Sequence, residues 1–225
     1  MKKTAVDYRQ FRLSRVNEPQ YAHVKLLLGW LVYFALFFLT ENLIPVERCH
    51  PVRCWLDDIT PFCEFFVVPY VFWFLLVIGS LLHYFLYDIE NFKRLQKYII
   101  ITQTVAMAAY ILYPSRQDLR PEAFPRENFF TWIVSVIYAF DTNTGVCPSL
   151  HVAYSIAIAS TCLKDENAPR RMKIFVAASA VIISLATAFV KQHSYVDIFA
   201  ALPVCLLAEV LIFGRSWWLP RLRRK

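Results

Sequence analysis

Two short stretches carry residue types that do chemistry. "CPSLH" at 147–151 sets a proline, a serine and a histidine at the head of an apolar segment, and "KQHSYVD" at 191–197 sets a lysine, a histidine and an aspartate between two others. His193 and Asp197 are four residues apart, so on a helix they share a face with β-carbons about 5–6 Å apart, and the carboxylate can reach an imidazole nitrogen. That contact fixes the tautomer and makes the far nitrogen a better base or nucleophile. Pro148 suits the first position of a helix, and Ser149 and Leu150 then present backbone N–H groups where anions bind, with His151 one position on. "YPSRQDLRPE" at 113–122 supplies Arg116 and Arg120, whose guanidinium forks match phosphate oxygens, and Lys191 adds a point charge. Two histidines and an aspartate are also a permissible metal set. The surrounding cations would repel a metal ion and suit a bound anion, so the set favours metal-free chemistry on phosphate.

These residues need elements to bring them together, and the composition says in which solvent. The 225 residues are 58% hydrophobic and 16% aromatic with four glycines, and the mean hydropathy is +0.43; this exceeds an ordinary soluble domain and excludes a disordered chain. A bilayer is the natural solvent. No linker, low-complexity tract or fixed-period repeat divides the chain, so 1–225 reads as one domain. Six apolar segments approach the length of a spanning helix: Leu26–Ile44, Phe65–Leu86, Tyr98–Tyr113, Ser149–Leu163, Ile174–Val190 and Val196–Phe213. Phe129–Phe140 is too short to span and reads as an interfacial helix. The expected fold is all-α, a membrane bundle of six transmembrane helices with one interfacial helix.

Charge orients the bundle. Lys and Arg collect on cytoplasmic flanks. The segment 1–25 holds six of them, the second connection three (Lys93, Arg94, Lys97), the fourth four (Lys164, Arg170, Arg171, Lys173) and the tail 214–225 five. Six remain for the opposite side: Arg48, Arg53, Arg116, Arg120, Arg126 and Lys191. Both termini are therefore expected in the cytoplasm, with an uncleaved first span. The net charge of +7 is a membrane-facing rim and not a nucleic-acid footprint. The same topology brings His151, Lys191, His193 and Asp197 to the opposite face. Cys49 and Cys54 lie in the first external loop, where an oxidising compartment would permit a disulfide; unpaired thiols are the equal alternative. Glu41 and Asp141 read as solvated or Arg-paired carboxylates, outside the catalytic set.

"CPSLH" followed by "KQHSYVD" resembles the second and third motifs of the type-2 phosphatidic acid phosphatase superfamily, P-S-G-H and S-R-x5-H-x3-D. Leu150 stands where the family has glycine, no Ser-Arg pair precedes His193, and Tyr113 stands where a lysine would precede Arg120-Pro121. "HSYVD" is also similar to the H-Y-x-x-D element of the branch that includes inositol phosphorylceramide synthase and sphingomyelin synthase. The resemblance implies that His193, oriented by Asp197, attacks phosphorus to form a phosphohistidine. His151 then protonates the leaving alcohol and activates water or a second alcohol, without a cofactor. Arg116, Arg120, Lys191, Ser149 and Leu150 would hold the phosphate oxygens. Three functions fit: hydrolysis of a lipid phosphate or isoprenyl diphosphate, transfer of a phosphoryl headgroup to a lipid alcohol, and a non-catalytic membrane protein with a degenerate motif.

Overall fold

The structure, a computed structural model, describes residues 4–222. Lys2, Lys3, Arg223, Arg224 and Lys225, which entered the charge count, lie outside the described residues. The chain is built of helices: α1 (Leu28–Leu43), α2 (Trp55–Ile59), α3 (Val67–Tyr87), α4 (Ile89–Leu112), α5 (Phe129–Phe140), α6 (Leu150–Lys164), α7 (Arg170–Phe189), α8 (Tyr195–Phe213) and α9 (Leu219–Leu222). A parallel pair of two-residue strands, β1 (His50–Pro51) and β2 (Ser115–Arg116), ties two outer loops together.

Five helical stretches are long and apolar enough to cross a membrane: Ala22–Leu43, Glu64–Tyr87, Ile89–Leu112, Arg170–Phe189 and Tyr195–Arg221. The sixth expected span, α6, has 15 residues, or about 22 Å of helix against a hydrocarbon core of about 30 Å. Its surroundings explain the shortness. Eleven of its residues are buried, whereas α1 buries none, so α6 is the inner helix and meets its neighbours rather than the solvent. Ala153, Ala157 and Ala159 allow those neighbours to approach closely. Tyr154 and Ile158 fill the space against α4 residues Leu95, Ile99 and Ala106 and α7 residues Val176, Ala180 and Ile183.

Two helix starts differ from the expectation. Helix α7 begins at Arg170 and not at Ile174, so Arg170, Arg171 and Lys173 stand on its first turn and not in a connection. The third span was expected at Tyr98, but α4 begins at Ile89, and Asp88 alone separates it from α3. Asp88 ends one helix and starts the next. Its N–H donates to Tyr84 O at 2.8 Å, and its carboxylate accepts from Asn91 N at 3.0 Å and Asn91 Nδ2 at 2.8 Å. Lys93, Arg94 and Lys97 therefore stand on the first turns of α4 and not in a connection. Of the two readings of Cys49 and Cys54, the structure has the unpaired thiols. All six cysteines carry free thiols. Cys49 Sγ faces Pro45 O at 3.7 Å, and Cys54 is the N-cap of α2, so the two thiols are held in separate local structures. Helix α5 has the bounds expected for Phe129–Phe140, with Asn128 as its N-cap.

Of the six basic residues expected at one end, Lys191 and Arg120 contact the loops beside the start of α8, and Arg126 lies 3.5 Å from Glu64 before α3. At the opposite end, Lys164 of α6 and Glu209 of α8 form an ion pair of 2.8 Å, their side chains 9% and 14% exposed. Ser160 Oγ donates to Glu209 at 2.5 Å, and Trp218 Nε1 donates to it at 2.6 Å. Glu209→Leu leaves Lys164 without its counter-charge in a largely apolar setting, which is expected to cost about 3 kcal/mol, while Lys164→Met/Glu209→Leu recovers most of that loss. Thermal unfolding of the detergent-solubilised variants checks both values, and equal melting temperatures for the single and double variants would contradict the pairing.

Candidate active site

The site is assembled at the first turn of α8. Ser194 is its N-cap, and Asp197 closes a capping box: the Ser194 side chain accepts from Val196 N at 3.1 Å and the Asp197 carboxylate accepts from Ser194 N at 2.9 Å. The same Asp197 Oδ2 lies 3.2 Å from His193 Nδ1. The carboxylate is fully buried, and His193 is 7% exposed. The other imidazole nitrogen, His193 Nε2, lies 3.2 Å from His151 Nδ1 on the first turn of α6. A proton on His193 Nδ1 satisfies Asp197 and leaves a lone pair on Nε2, which accepts from His151 Nδ1.

The expected i,i+4 contact and the meeting of the two histidines both occur. The ring of His151 packs between Tyr70 and Trp73 of α3, with centroids 4.7 and 4.2 Å away. Trp73 Nε1 also donates to His151 O at 3.1 Å. His151 Nε2 and Asp197 Oδ1 are buried without a hydrogen-bond partner among the described residues, which leaves one donor or acceptor position at each end of the relay.

The residues expected to bind phosphate divide into two groups. Arg120 touches the residue before His193: its Nη2 donates to Gln192 Oε1 at 2.6 Å and to the backbone carbonyls of Asp141 at 2.7 Å and Thr142 at 2.9 Å, and its Nη1 donates to that of Tyr138 at 3.2 Å, with the guanidinium 4.4 Å from the Tyr138 ring centre. Its Nε is buried without a partner among the described residues. Burial lowers the Arg120 value from that of a free guanidinium, against the opposing attraction of Asp141. Arg116 is turned elsewhere. It pairs with Asp118 at 3.0 Å and donates to Val46 O at 3.1 Å and Cys49 O at 3.3 Å, pinning the loop before β1.

Lys191 and Ser149 are likewise engaged in holding the backbone. Lys191 follows the C-cap of α7 with φ +54°, the position usually given to glycine, and its N–H and that of Gln192 donate to Ala188 O at 3.2 Å and Thr187 O at 2.9 Å. A β-carbon in this conformation costs about 1–2 kcal/mol. The side chain offsets that cost by donating to Asp57 O at 3.0 Å and Thr60 O at 2.6 Å; burial lowers its ammonium from the usual lysine value. Ser149 is the N-cap of α6, and its N–H donates to Asp197 O at 3.1 Å, so the two motif helices are joined directly. Leu150 places its side chain in the core.

Several residues of the site carry no sequence signal. Asp57, in the short helix α2, is buried and accepts from Ser194 Oγ at 2.6 Å, Tyr195 N at 2.9 Å and Cys54 N at 2.8 Å. It adds a second carboxylate at the N-terminus of α8, where the helix dipole favours negative charge. Asp141, left outside the set by sequence, accepts from Tyr70 OH at 3.3 Å and Gln192 Nε2 at 3.3 Å. Burial raises its carboxyl above the usual range, and the charges of His193 and Arg120 oppose the rise. Glu41 of α1 accepts from Thr142 and Thr144 and anchors the same loop. Burial, and then the Asp197 carboxylate beside it, pushes the Cys147 thiol up to about 12.

No protein-family model, curated protein or solved structure matches this chain. The chemistry of the site is read from its geometry. Among the described residues, no group of three or more His, Cys, Asp or Glu side chains is arranged to hold a metal ion. The arrangement offers a nucleophile or base at His193, a second acid or base at His151 and a cation at Arg120.

Asp141 makes the pH dependence testable. A carboxyl raised in the folded chain binds its proton more tightly there than in the unfolded chain. Its contribution to stability is full below the ordinary carboxyl range and is lost as pH rises through the raised value. Asp141→Asn is expected to flatten the fall in melting temperature across that window and leave the profile at lower pH unchanged. Melting scans of both proteins from acidic to neutral pH check this, and parallel profiles would contradict it.

Proposed function

We propose that the chain is a multi-pass membrane enzyme that transfers a phosphoryl group from a lipid phosphate through a phosphohistidine. The observation that supports this reading best is the Asp197, His193, His151 series, with both contacts at 3.2 Å, beside Arg120 at one end of an apolar bundle. When substrate displaces the His151 Nδ1–His193 Nε2 hydrogen bond, the freed His193 Nε2 attacks phosphorus while the bond from phosphorus to the lipid oxygen breaks, and protonated His151 gives its proton to that oxygen. Water then attacks the phosphohistidine, His151 takes the water's proton, and phosphate departs. Arg120 offsets charge on the equatorial oxygens, and Asp197 balances the cation on His193. The proposed reaction needs no cofactor.

In this reading six helices cross the bilayer, α6 among them. Because α6 is enclosed by its neighbours, it need not match the lipid in length. Both termini lie on the cytoplasmic side with the basic loops, and the histidines face the opposite compartment. The lipid-phosphate class rests on the surroundings: an apolar bundle delivers an amphiphile to the histidines, and the nearby cation is fixed. A second reading is favoured by the near-complete burial of His193 and Asp197. A site shielded from water suits transfer to a lipid alcohol, in place of hydrolysis.

The deciding experiment measures phosphate release by purified detergent-solubilised protein in EDTA from phosphatidic acid, phosphatidylglycerol phosphate, an isoprenyl diphosphate and a sphingolipid phosphate. Wild type is expected to release phosphate, and His193→Ala to lose at least about 10³-fold in kcat with its fold retained. Turnover only when a lipid alcohol is supplied would assign the second reading. Absence of turnover in both assays, or equal turnover by His193→Ala, would overturn the phosphohistidine mechanism.

A further inference from the structure

The two histidines are not provided for alike. His193 has the Asp197 carboxylate at 3.2 Å to balance a positive ring. His151 has no such partner: among the described residues, the one ion pair that includes a histidine is that of His193. An imidazolium withdrawn from water without a counter-charge is strongly disfavoured. Yet the acid step asks His151 for a second proton besides the one on Nδ1. That proton falls on Nε2, a buried atom without a hydrogen-bond partner among the described residues.

Aromatic faces stand where the carboxylate is missing. Two i,i+3 pairs interlock where α3 meets α6, Tyr70 and Trp73 on one helix and His151 and Tyr154 on the other. The His151 ring centre lies 4.2 Å from that of Trp73 and 4.7 Å from that of Tyr70, at interplanar angles of 39° and 31°. Both distances are inside the range of about 6 Å over which a ring face attracts a cation, and tryptophan does so most strongly. Trp73 is fixed from both sides: it stacks on Tyr154 at 5.7 Å and 16°, and its Nε1 donates to His151 O at 3.1 Å. Tyr70 is buried and gives its hydroxyl proton to Asp141 Oδ2 at 3.3 Å, which draws electron density toward the ring. The other polar neighbours are engaged elsewhere. From the loop before α8, His193 meets His151 with Asp197 behind it, and Arg120 is held by Gln192 and backbone carbonyls. From α4, Tyr110 OH donates to Pro148 O. Helix α7 adds the apolar Val176, Ala180 and Ile183 to the core around α6.

We propose that Trp73, with Tyr70 beside it, is a positioning residue that holds His151 as the imidazolium, the acid of the reaction. Ring faces suit this task better than a carboxylate. His151 must release its proton to the lipid oxygen and later take one from water, and a face favours the cation without hydrogen-bonding its N–H as a carboxylate would. The role of the clamp rests on the phosphohistidine reading, so its test is made first on the protein without substrate.

The measurement is an NMR titration of the full chain in detergent with nitrogen-15-labelled histidine, the His151 signal being the one lost in His151→Gln. Trp73 is replaced by mono-, di- and trifluorotryptophan through nonsense suppression, which withdraws charge from the ring face at nearly constant shape. The His151 midpoint is expected to fall stepwise, to about one pH unit below wild type in the trifluoro protein, an about tenfold smaller ratio of imidazolium to imidazole. A change of packing alone would leave the midpoint of this series where it is. An unmoved or rising midpoint therefore overturns the proposal. In the phosphate-release assay, the high-pH limb of kcat is expected to move down with the midpoint, and a limb that stays fixed while the midpoint falls overturns the role in the acid step. A falling midpoint in a protein that turns over no substrate supports the clamp and counts against phosphohistidine transfer, whereas turnover with an unmoved midpoint leaves that reading standing and removes the clamp.

Discussion

The first turn of α8 is the constraint on which the histidine end depends. A helix that begins at Tyr195 needs acceptors for its leading N–H groups, and it obtains them from the Ser194 hydroxyl and the carboxylates of Asp197 and Asp57. Asp197 also fixes His193, and its carbonyl accepts the N–H of Ser149. Capping α8, orienting the imidazole and joining α6 to α8 are thus one arrangement of a few atoms. The outer loop follows from it. Asp57 draws α2 onto the helix, Lys191 fastens the loop from beneath, and Cys63 N donates to Phe189 O at 3.0 Å to close it against α7.

An apolar bundle could not hold this much polarity without such economy. Polar groups withdrawn from water must find partners, and most in the interior do: Tyr110 OH donates to Pro148 O at 2.7 Å, Tyr98 OH to Cys205 O at 2.7 Å, and Gln103 Nε2 to Tyr154 OH at 2.8 Å. The exceptions are concentrated. Of the four buried side-chain atoms without a partner among the described residues, three belong to His151, Asp197 and Arg120. The same three residues carry the proposed mechanism, so the unmet hydrogen-bonding capacity is concentrated at the histidine end of the bundle.

The parts of this architecture that were legible in the sequence are those set by local periodicity and chain direction. An i,i+4 spacing suffices to pair His193 with Asp197, and alternating helices suffice to return His151 to the same end. The bounds of α5 followed from its apolar run. What stayed hidden depends on distant acceptors. Nothing near Asp57 marks it as a cap for a helix 138 residues away. A formal charge on Arg116 or Lys191 gives no sign that backbone carbonyls will claim it, and a lysine at φ +54° occupies a turn that glycine would have announced. The start of α4 was missed because its opening turns are charged, and a hydropathy reading trims such turns from a helix that continues through them.

The single residue between α3 and α4 bears on how the chain is built. Asp88 closes one helix and opens the next with no slack between them, so neither can slide along its axis without dragging the other. The two helices therefore behave as one hairpin, with Lys93, Arg94 and Lys97 just past its bend on the first turns of α4. Lengthening either leg would displace the other.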